Sequence, residues 1–167
     1  KLFAFMDHEM VPDILVTGKG LGGGLPVGAF VAAQHHMAQL KATPSLGHIT
    51  TFGGNPVIAA ACRATLSTIL SSNLMAETQV KEQLFRKLLI HKKIKEIRGK
   101  GLMLALIMES SEVAQQLVKQ SLTNGILLFF LLFEPKAVRI SPPLTISKKQ
   151  VRYACSKILQ VLDSLDC

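Results

Sequence analysis

The segment from Asp13 to Ala33 constrains the fold of this chain more than any other part of the sequence. Residues 13–17 form a short apolar stretch typical of a buried strand, and residues 27–33 form a second one with β-branched and aromatic side chains. Between them lies the loop GKGLGGGLP, in which four of the five residues 20–24 are glycine, more than a single turn requires. The chain also lacks Asp and Glu from residue 14 through residue 76. Glycines that follow a strand in an acid-free segment predict a site for an anionic ligand.

The rest of the chain has the pattern of helices alternating with strands. Asn55 and Pro56 are typical of a helix N-cap and a first helical position, and we expect the apolar helix that follows, through about Ser71, to be buried on most faces. The composition then changes to mixed charge, which places a boundary at residues 71–76. The remainder predicts a small α/β layer domain. Its elements are a helix with an apolar stripe over 80–89, a strand over 98–108 approached through a glycine turn, a helix over 113–122 ended by Gly125, strands over 126–133 and 137–141, and a helix over 147–165 with a capping box of Ser147 and Gln150.

Composition and charge exclude several classes of protein. The longest apolar run, residues 126–133, is far shorter than the ~20 residues of a membrane-spanning helix, so we expect no membrane association. The chain begins without Met, and no secretory signal is recognised, as expected of a processed chain or a fragment. Cys62, Cys155 and Cys167 lie singly, which argues against disulfides and structural zinc and favours a reducing, cytoplasmic location. The net charge of +8 includes no basic run interleaved with aromatic residues, so we expect no nucleic-acid partner.

Lys19 is the first candidate catalytic residue. It follows the first strand directly, where open α/β sheets place their ligands, and glycines follow it. A lone lysine is usually a surface residue, but here we expect it to be partly desolvated and to present an amine able to form a Schiff base. Gly18, Gly20 and Gly23 also match the GxGxxG pattern, so a dinucleotide-binding oxidoreductase domain is an alternative. Against it, the glycines lead into a strand, and no acidic residue lies ~20 positions further on.

Two further positions are candidates for binding. Thr51 and the glycines after it precede the helix that begins at Pro56, where backbone N–H groups and the helix dipole favour a phosphate; an ordinary capped helix start explains the same residues. Arg139 lies between apolar residues on a strand, and its planar guanidinium suits a carboxylate, although a solvent-facing strand residue is equally consistent. No set of residues has metal-ligand spacing, so no metal is expected.

Four strings resemble one known family. PDILVTGKGLGGGLPVGAF, HITTFGGNP, RGKGLM and VRISPPLTI follow one another in the order found in the class III aminotransferases, the pyridoxal-phosphate (PLP) enzymes that include acetylornithine and ornithine aminotransferases. The resemblance extends from Lys1 to the final helix. It implies an α/β fold of the fold-type-I PLP-transferase class, in which residues 1–55 are the C-terminal part of the large PLP-binding domain. Residues 56–76 are then the inter-domain helix, and residues 77–167 are the small C-terminal α/β domain.

The resemblance also implies roles for the candidate residues. Lys19 corresponds to the family's lysine that forms the Schiff base with PLP and moves the proton. Thr51, with Thr50 beside it, corresponds to the hydroxyl that reaches the cofactor phosphate of the neighbouring subunit, so the active site would lie across a homodimer. Arg139 corresponds to the arginine that binds the substrate α-carboxylate.

The implied reaction is transfer of an amino group between an amino donor and a 2-oxo acid. An aminomutase or decarboxylase that uses the same lysine stays open, as does a non-catalytic interaction domain with this fold. The family's acidic residue for the pyridine nitrogen lies upstream of the matched region. We therefore expect the chain to be a fragment with little activity by itself.

Overall fold

The computed structural model describes residues 1–41 and 44–165 and divides into two compact units, Lys1–Asn73 and the chain from Leu74 onward. The division falls within the boundary predicted at residues 71–76. The assignment of 1–55, 56–76 and 77–167 to a large domain, an inter-domain helix and a small domain stays a prediction. Cys167, one of the three cysteines considered above, lies outside the described residues.

The first unit contains one antiparallel strand pair and one long helix. Strand β1 (Ile14–Gly18) pairs with β2 (Gly28–Ala32) in a register that places Ile14 opposite Ala32 and Gly18 opposite Gly28. Short 3-10 helices cover 4–8, 19–22 and 39–41, and the short helix α1 (Gln34–Ala38) follows β2. Helix α2 (Pro56–Ser71) ends the unit.

The predicted burial of these elements is wrong. Ile14 is 54% exposed and Val16 is 77% exposed, so β1 is not a buried strand in this unit. No residue of α2 is buried, although its sequence predicted burial on most faces. The physical reason is that a two-stranded ribbon and one helix provide too few layers to cover these apolar faces.

The second unit is a four-stranded antiparallel sheet with three helices. Its elements in chain order are α3 (Leu74–Leu88), β3 (Ile94–Lys100), β4 (Met103–Met108), α4 (Ser111–Thr123), β5 (Phe129–Leu131), β6 (Glu134–Ile140) and α5 (Lys148–Ser164). The strand order in the sheet is β3-β4-β6-β5. One face of the sheet forms the core with the helices, and Leu106, Leu117 and Ile158 are at most 1% exposed there. This mixed arrangement confirms the predicted α/β class.

Two predicted strands are hairpins or parts of hairpins. The strand predicted over 98–108 is the β3–β4 hairpin, because Gly99 (φ +107°) and Gly101 (φ +60°) adopt left-handed backbone that reverses the chain. The strand predicted over 126–133 is shorter, since only Phe129–Leu131 pairs with β6. The apolar residues Leu132 and Phe133 lie between the two strands and are more than 90% exposed.

The predicted helix ends are confirmed. Asn55 Oδ1 accepts hydrogen bonds from the backbone N–H groups of Val57 and Ile58, at 2.9 and 3.3 Å, and Pro56 is the first residue of α2. Gly125, at φ +78°, follows the C-cap of α4. The capping box of Ser147 and Gln150 begins α5.

Two lysines of the second unit are buried and make hydrogen bonds to backbone carbonyls. Lys81 Nζ donates to the carbonyl of Leu144 at 2.7 Å and pairs with Glu77. Lys93 Nζ donates to the carbonyls of Leu162 and Leu165 at the end of α5, where a cation also complements the helix dipole. Both lysines are 2% exposed.

Within residues 1–41 and 44–165, no single helix is long and apolar enough to cross a membrane. Among the described helices, α2 and α3 would be long and apolar enough for a membrane span if their lengths were added together, but they are two separate helices.

Candidate functional site

Lys19 lies where β1 ends, at the start of the 3-10 helix over residues 19–22. Its φ of +48° is in the left-handed region, which a non-glycine residue rarely adopts, and such conformations are concentrated at functional sites. The side chain is exposed, so the first unit does not provide the expected desolvation.

Two glycines at the end of β1 and in the turn after it are required by close approaches. A Cβ at Gly18, the last residue of β1, would lie 2.8 Å from the carbonyl oxygen of Val27, the residue just before β2. Gly23 has φ +59°, and a Cβ there would lie 2.4 Å from Thr65 Oγ1 on α2. The turn that carries Lys19 is therefore held between β2 and α2, and a side chain at either glycine would displace it.

The path of the chain after the glycines also tests the alternative of a dinucleotide-binding site. That site requires the glycines to lead from a strand into a helix whose N-terminus receives the pyrophosphate. Here they lead through a 3-10 helix into the antiparallel strand β2. The described glycine turn therefore lacks the helix on which the alternative depends.

Thr50 and Thr51 lie in the turn that precedes α2. The Gly53 N–H donates to the Thr50 carbonyl at 3.2 Å, and a Cβ at Gly53 would lie 2.6 Å from Thr50 Oγ1, so the Thr50 hydroxyl faces the inside of the turn. Thr51 is exposed, and its hydroxyl makes no hydrogen bond among the described residues. Gly54, at φ +71°, lets the chain enter the helix.

The donors available to an anion at this end of α2 precede the helix. Asn55 already accepts from the N–H groups of Val57 and Ile58, and Pro56 has no N–H, so the first turn of α2 offers few free donors. An anion at this end would bind the Thr51 hydroxyl and the peptide groups ahead of the helix. The positive end of the α2 dipole still favours it.

A cleft of about 800 Å³ lies between β2 and the first turns of α2. Thr50 and Phe52 line it, together with the half-buried Cys62. Lys19 and Thr51 are not among its lining residues. The first unit thus brings Thr50 to a cleft and leaves Lys19 and Thr51 on exposed turns.

Arg139 belongs to β6 in the second unit, on the sheet face opposite the core. In the register of the sheet it lies beside Ala105 of β4 and Phe129 of β5. The guanidinium carbon is 4.9 Å from the centroid of the Phe129 ring. Arg139 Nε is buried and has no hydrogen-bond partner in the part of the chain that the structure describes, so the side chain retains an unused donor.

Sequence reasoning missed Phe129 and two side chains of α3 that support the sheet. Glu82 Oε2 accepts from the Gly101 N–H at 2.6 Å, and Arg86 donates to the carbonyls of Ile97 and Gly99 at 2.6 and 2.8 Å. The spacing of Glu82 and Arg86, four residues apart, indicates a helix-surface ion pair. It gives no signal for the backbone groups that both side chains also bind.

No group of three or more His, Cys, Asp or Glu residues that could hold a metal ion occurs in the described part of the chain. The described residues thus offer no competing metal site.

Comparison with known proteins identifies the family. The class-III aminotransferase family model matches residues 1–162. The chain belongs to this family. Its solved relatives have the fold-type-I architecture, in agreement with the mixed α/β units described above.

Three solved aminotransferases illustrate the similarity. The acetylornithine aminotransferase of Elizabethkingia anophelis is 32% identical, with a TM-score of 0.87 over 99% of this chain and 42% of its own. The ornithine aminotransferase of Toxoplasma gondii, whose active site is partially occupied by PLP, is 31% identical, with a TM-score of 0.82 over 95% of this chain and 38% of its own. The ornithine aminotransferase of Plasmodium yoelii is 28% identical, with a TM-score of 0.83 over 98% and 44%. This class III aminotransferase chain therefore spans about two fifths of the length of these relatives.

Proposed function

We propose that this chain supplies part of a PLP-dependent active site that transfers an amino group between an amino donor and a 2-oxo acid. The observation that carries the proposal is Lys19, an exposed amine on a left-handed residue at the end of β1, held by close contacts at Gly18 and Gly23. Membership of the class III family supports it.

The described residues fit the chemical groups of PLP. The cofactor presents an aldehyde and a phosphate, which need an amine and an anion site, respectively. Lys19 Nζ is an accessible amine, and the Thr51 hydroxyl lies unpaired ahead of the N-terminus of α2. We assign Lys19 to covalent attachment of the cofactor, with Thr51 and the neighbouring Thr50 assigned to the phosphate.

The roles in the reaction follow from the side chains. PLP, when bound, supplies the carbonyl group and the electron-withdrawing ring. Lys19 Nζ would hold the cofactor aldehyde and, when free, would act as the base that accepts the proton from the substrate Cα and as the acid that gives it back. Arg139 binds the substrate α-carboxylate through its guanidinium N–H groups and so orients Cα.

The proposed assembly is a homodimer in which Thr51 acts at the phosphate bound by the partner subunit. The exposure of Thr51 supports this arrangement, because its hydroxyl is free of partners in its own unit. The cytoplasmic location expected from the sequence is part of this proposal. The partners are small amino acids and 2-oxo acids.

The decisive experiment mixes the chain with PLP, records the visible spectrum, reduces the mixture with borohydride and locates the phosphopyridoxyl group by peptide mass spectrometry. We expect the label to be concentrated on Lys19, lost in Lys19→Arg and retained in the matched control Lys41→Arg. Label spread evenly over the exposed lysines would contradict the proposed role of Lys19. A transaminase assay on the same sample tests the expectation of little turnover by the chain alone.

A further inference from the structure

Phe129 and Arg139 form a cross-strand pair on the open face of the second unit's sheet. They lie directly opposite each other in the β5–β6 register, and the guanidinium carbon lies 4.9 Å from the ring centroid. At this distance a guanidinium is attracted to the face of an aromatic ring. The pair is thus fixed by strand register as well as by the contact itself.

The neighbouring aromatic residue does not share this position. Phe130 is paired with Val138, which is 0% exposed and belongs to the core. Side chains alternate between the faces of a sheet, so Phe130 and Arg139 lie on opposite faces. Phe130 is nevertheless similar to Phe129 in exposure, at 49% against 46%. The chain therefore contains a matched control for the aromatic contact.

The charged residues near Arg139 do not occupy its guanidinium. Glu134 Oε1 accepts from the backbone N–H of Lys136 at 3.2 Å, and Arg98 pairs with Glu96 at 2.8 Å. Within residues 1–41 and 44–165, no carboxylate lies within ion-pair distance of Arg139. Among the described residues its buried Nε has no hydrogen-bond partner, so the guanidinium contacts the ring and no protein acceptor occupies it.

We infer that Phe129 is a positioning residue, which holds the Arg139 guanidinium against β5 so that its N–H edge is presented to the carboxylate of the substrate. The inference rests on the proposed function, because it assigns to Phe129 the orientation of the group that binds the α-carboxylate. The ring restricts the long arginine side chain before the ligand arrives, and this lowers the entropy cost of binding. An aliphatic side chain at residue 129 would fill space but would provide no negative ring face for the cation.

The test uses the full 167-residue chain labelled with ¹⁵N-arginine and follows the Nε–Hε signal of Arg139 by NMR. Arg139→Lys assigns the signal, and Phe129→Leu, Phe129→Tyr and Phe130→Leu are compared with the parent chain. Far-UV circular dichroism establishes that each variant is folded. We expect the ring to shift the Arg139 signal in the parent, in Phe129→Tyr and in Phe130→Leu. In Phe129→Leu the signal should move to the position of a solvated arginine.

The second step titrates each protein with 2-oxoglutarate as the carboxylate probe. We expect Phe129→Leu to bind about three- to fivefold more weakly than the parent, the effect of one partly exposed cation–π contact. Phe129→Tyr should bind like the parent. If the Arg139 signal is unchanged in Phe129→Leu, or if this variant binds 2-oxoglutarate as tightly as the parent, the positioning role of Phe129 is overturned. The carboxylate role of Arg139 is not affected by that result. No response of Arg139 in the parent chain overturns its carboxylate role, and the positioning role with it.

Discussion

Replacing Arg86 with Gln tests whether the contacts between α3 and the β3–β4 hairpin stabilise the second unit. Arg86 Nε donates to Glu82 Oε1 at 2.9 Å, and its two terminal nitrogens donate to the carbonyls of Ile97 and Gly99. The side chains of Arg86 and Glu82 are 31% and 13% exposed, so water screens the contacts only in part. Glu82 also accepts a hydrogen bond from the Gly101 N–H, in the turn that connects β3 and β4.

The expected change in the free energy of unfolding follows from these contacts. A hydrogen bond to a charged group contributes roughly 1.5–3 kcal/mol when it is well protected, and partial exposure reduces each of the three bonds by about half. We therefore expect Arg86→Gln to lower the free energy of unfolding by about 2–4.5 kcal/mol. Gln has nearly the same helix propensity as Arg, so α3 itself should be little affected.

Arg98→Gln is the matched control. Arg98 Nε lies 2.8 Å from Glu96 Oε2, almost the same distance as in the Arg86 pair, but the two side chains are 58% and 52% exposed. Neither residue of this pair binds the turn, and exposed ion pairs contribute about 0–1 kcal/mol. We expect Arg98→Gln to change the free energy of unfolding by less than about 0.5 kcal/mol.

The assay is urea unfolding followed by far-UV circular dichroism, with hydrogen–deuterium exchange of peptides from residues 94–108 to assign the change to the hairpin. Equal effects of the two substitutions would refute the reasoning, because they would show that the Arg–Glu distance alone sets the energy. An effect of Arg86→Gln below about 0.5 kcal/mol would refute it too.

Other predictions concern glycines and thiols. Gly99→Ala should destabilise the chain by about 3 kcal/mol or more, because φ is +107° and the new Cβ would lie 2.1 Å from the Met103 carbonyl oxygen. Gly125→Ala should cost about 1 kcal/mol, because φ is +78° but no atom lies within 4 Å of the new Cβ. Thermal unfolding of both variants measures the difference. Burial raises the pKa of the Cys155 thiol to about 12, so in a Cys167→Ser background Ellman's reagent at pH 8 should label Cys62 and not Cys155. The folded chain holds the Cys155 proton more tightly than the unfolded chain, so the free energy of unfolding should fall as pH rises from about 9 towards 12, a slope that Cys155→Ala should remove in urea titrations.

The predictable parts of the fold were those with local chemical signals. Asn55 with Pro56, Gly125 after α4 and the pair Ser147 with Gln150 each satisfy helix-end backbone groups through residues adjacent in sequence. The class of the second unit followed from apolar spacing. Such signals depend on neighbours along the chain, so one sequence is enough to identify them.

The parts that sequence reasoning missed depend on partners far away in the chain. The glycines of residues 98–108 indicated a turn, but the pairing of residues 94–100 with β4 as a separate strand depends on the partner strand. The position of the β5–β6 turn at Leu132 and Phe133 lacks any turn residue, so the register that pairs Phe129 with Arg139 could not be derived. Burial of β1 and α2 was overestimated because apolar composition does not reveal which layers cover a face.

The candidate site also has features that the sequence revealed and features that it did not. The glycine loop, the Thr51 turn and Arg139 were recognisable as chemical groups suited to an amine, a phosphate and a carboxylate site. The capping residue Asn55 uses the N–H groups of Val57 and Ile58, so the donors suggested for an anion are those that precede the helix.

The two buried lysines affect how a protease meets this chain. Trypsin requires an extended, accessible backbone on both sides of a lysine, but Lys81 and Lys93 are bonded to carbonyls of other segments and are 2% exposed. Native digestion should therefore pass over both bonds while it cuts at exposed lysines. Cleavage after Lys93 would then report the release of the end of α5, and the cleavage rate would measure local opening of the second unit.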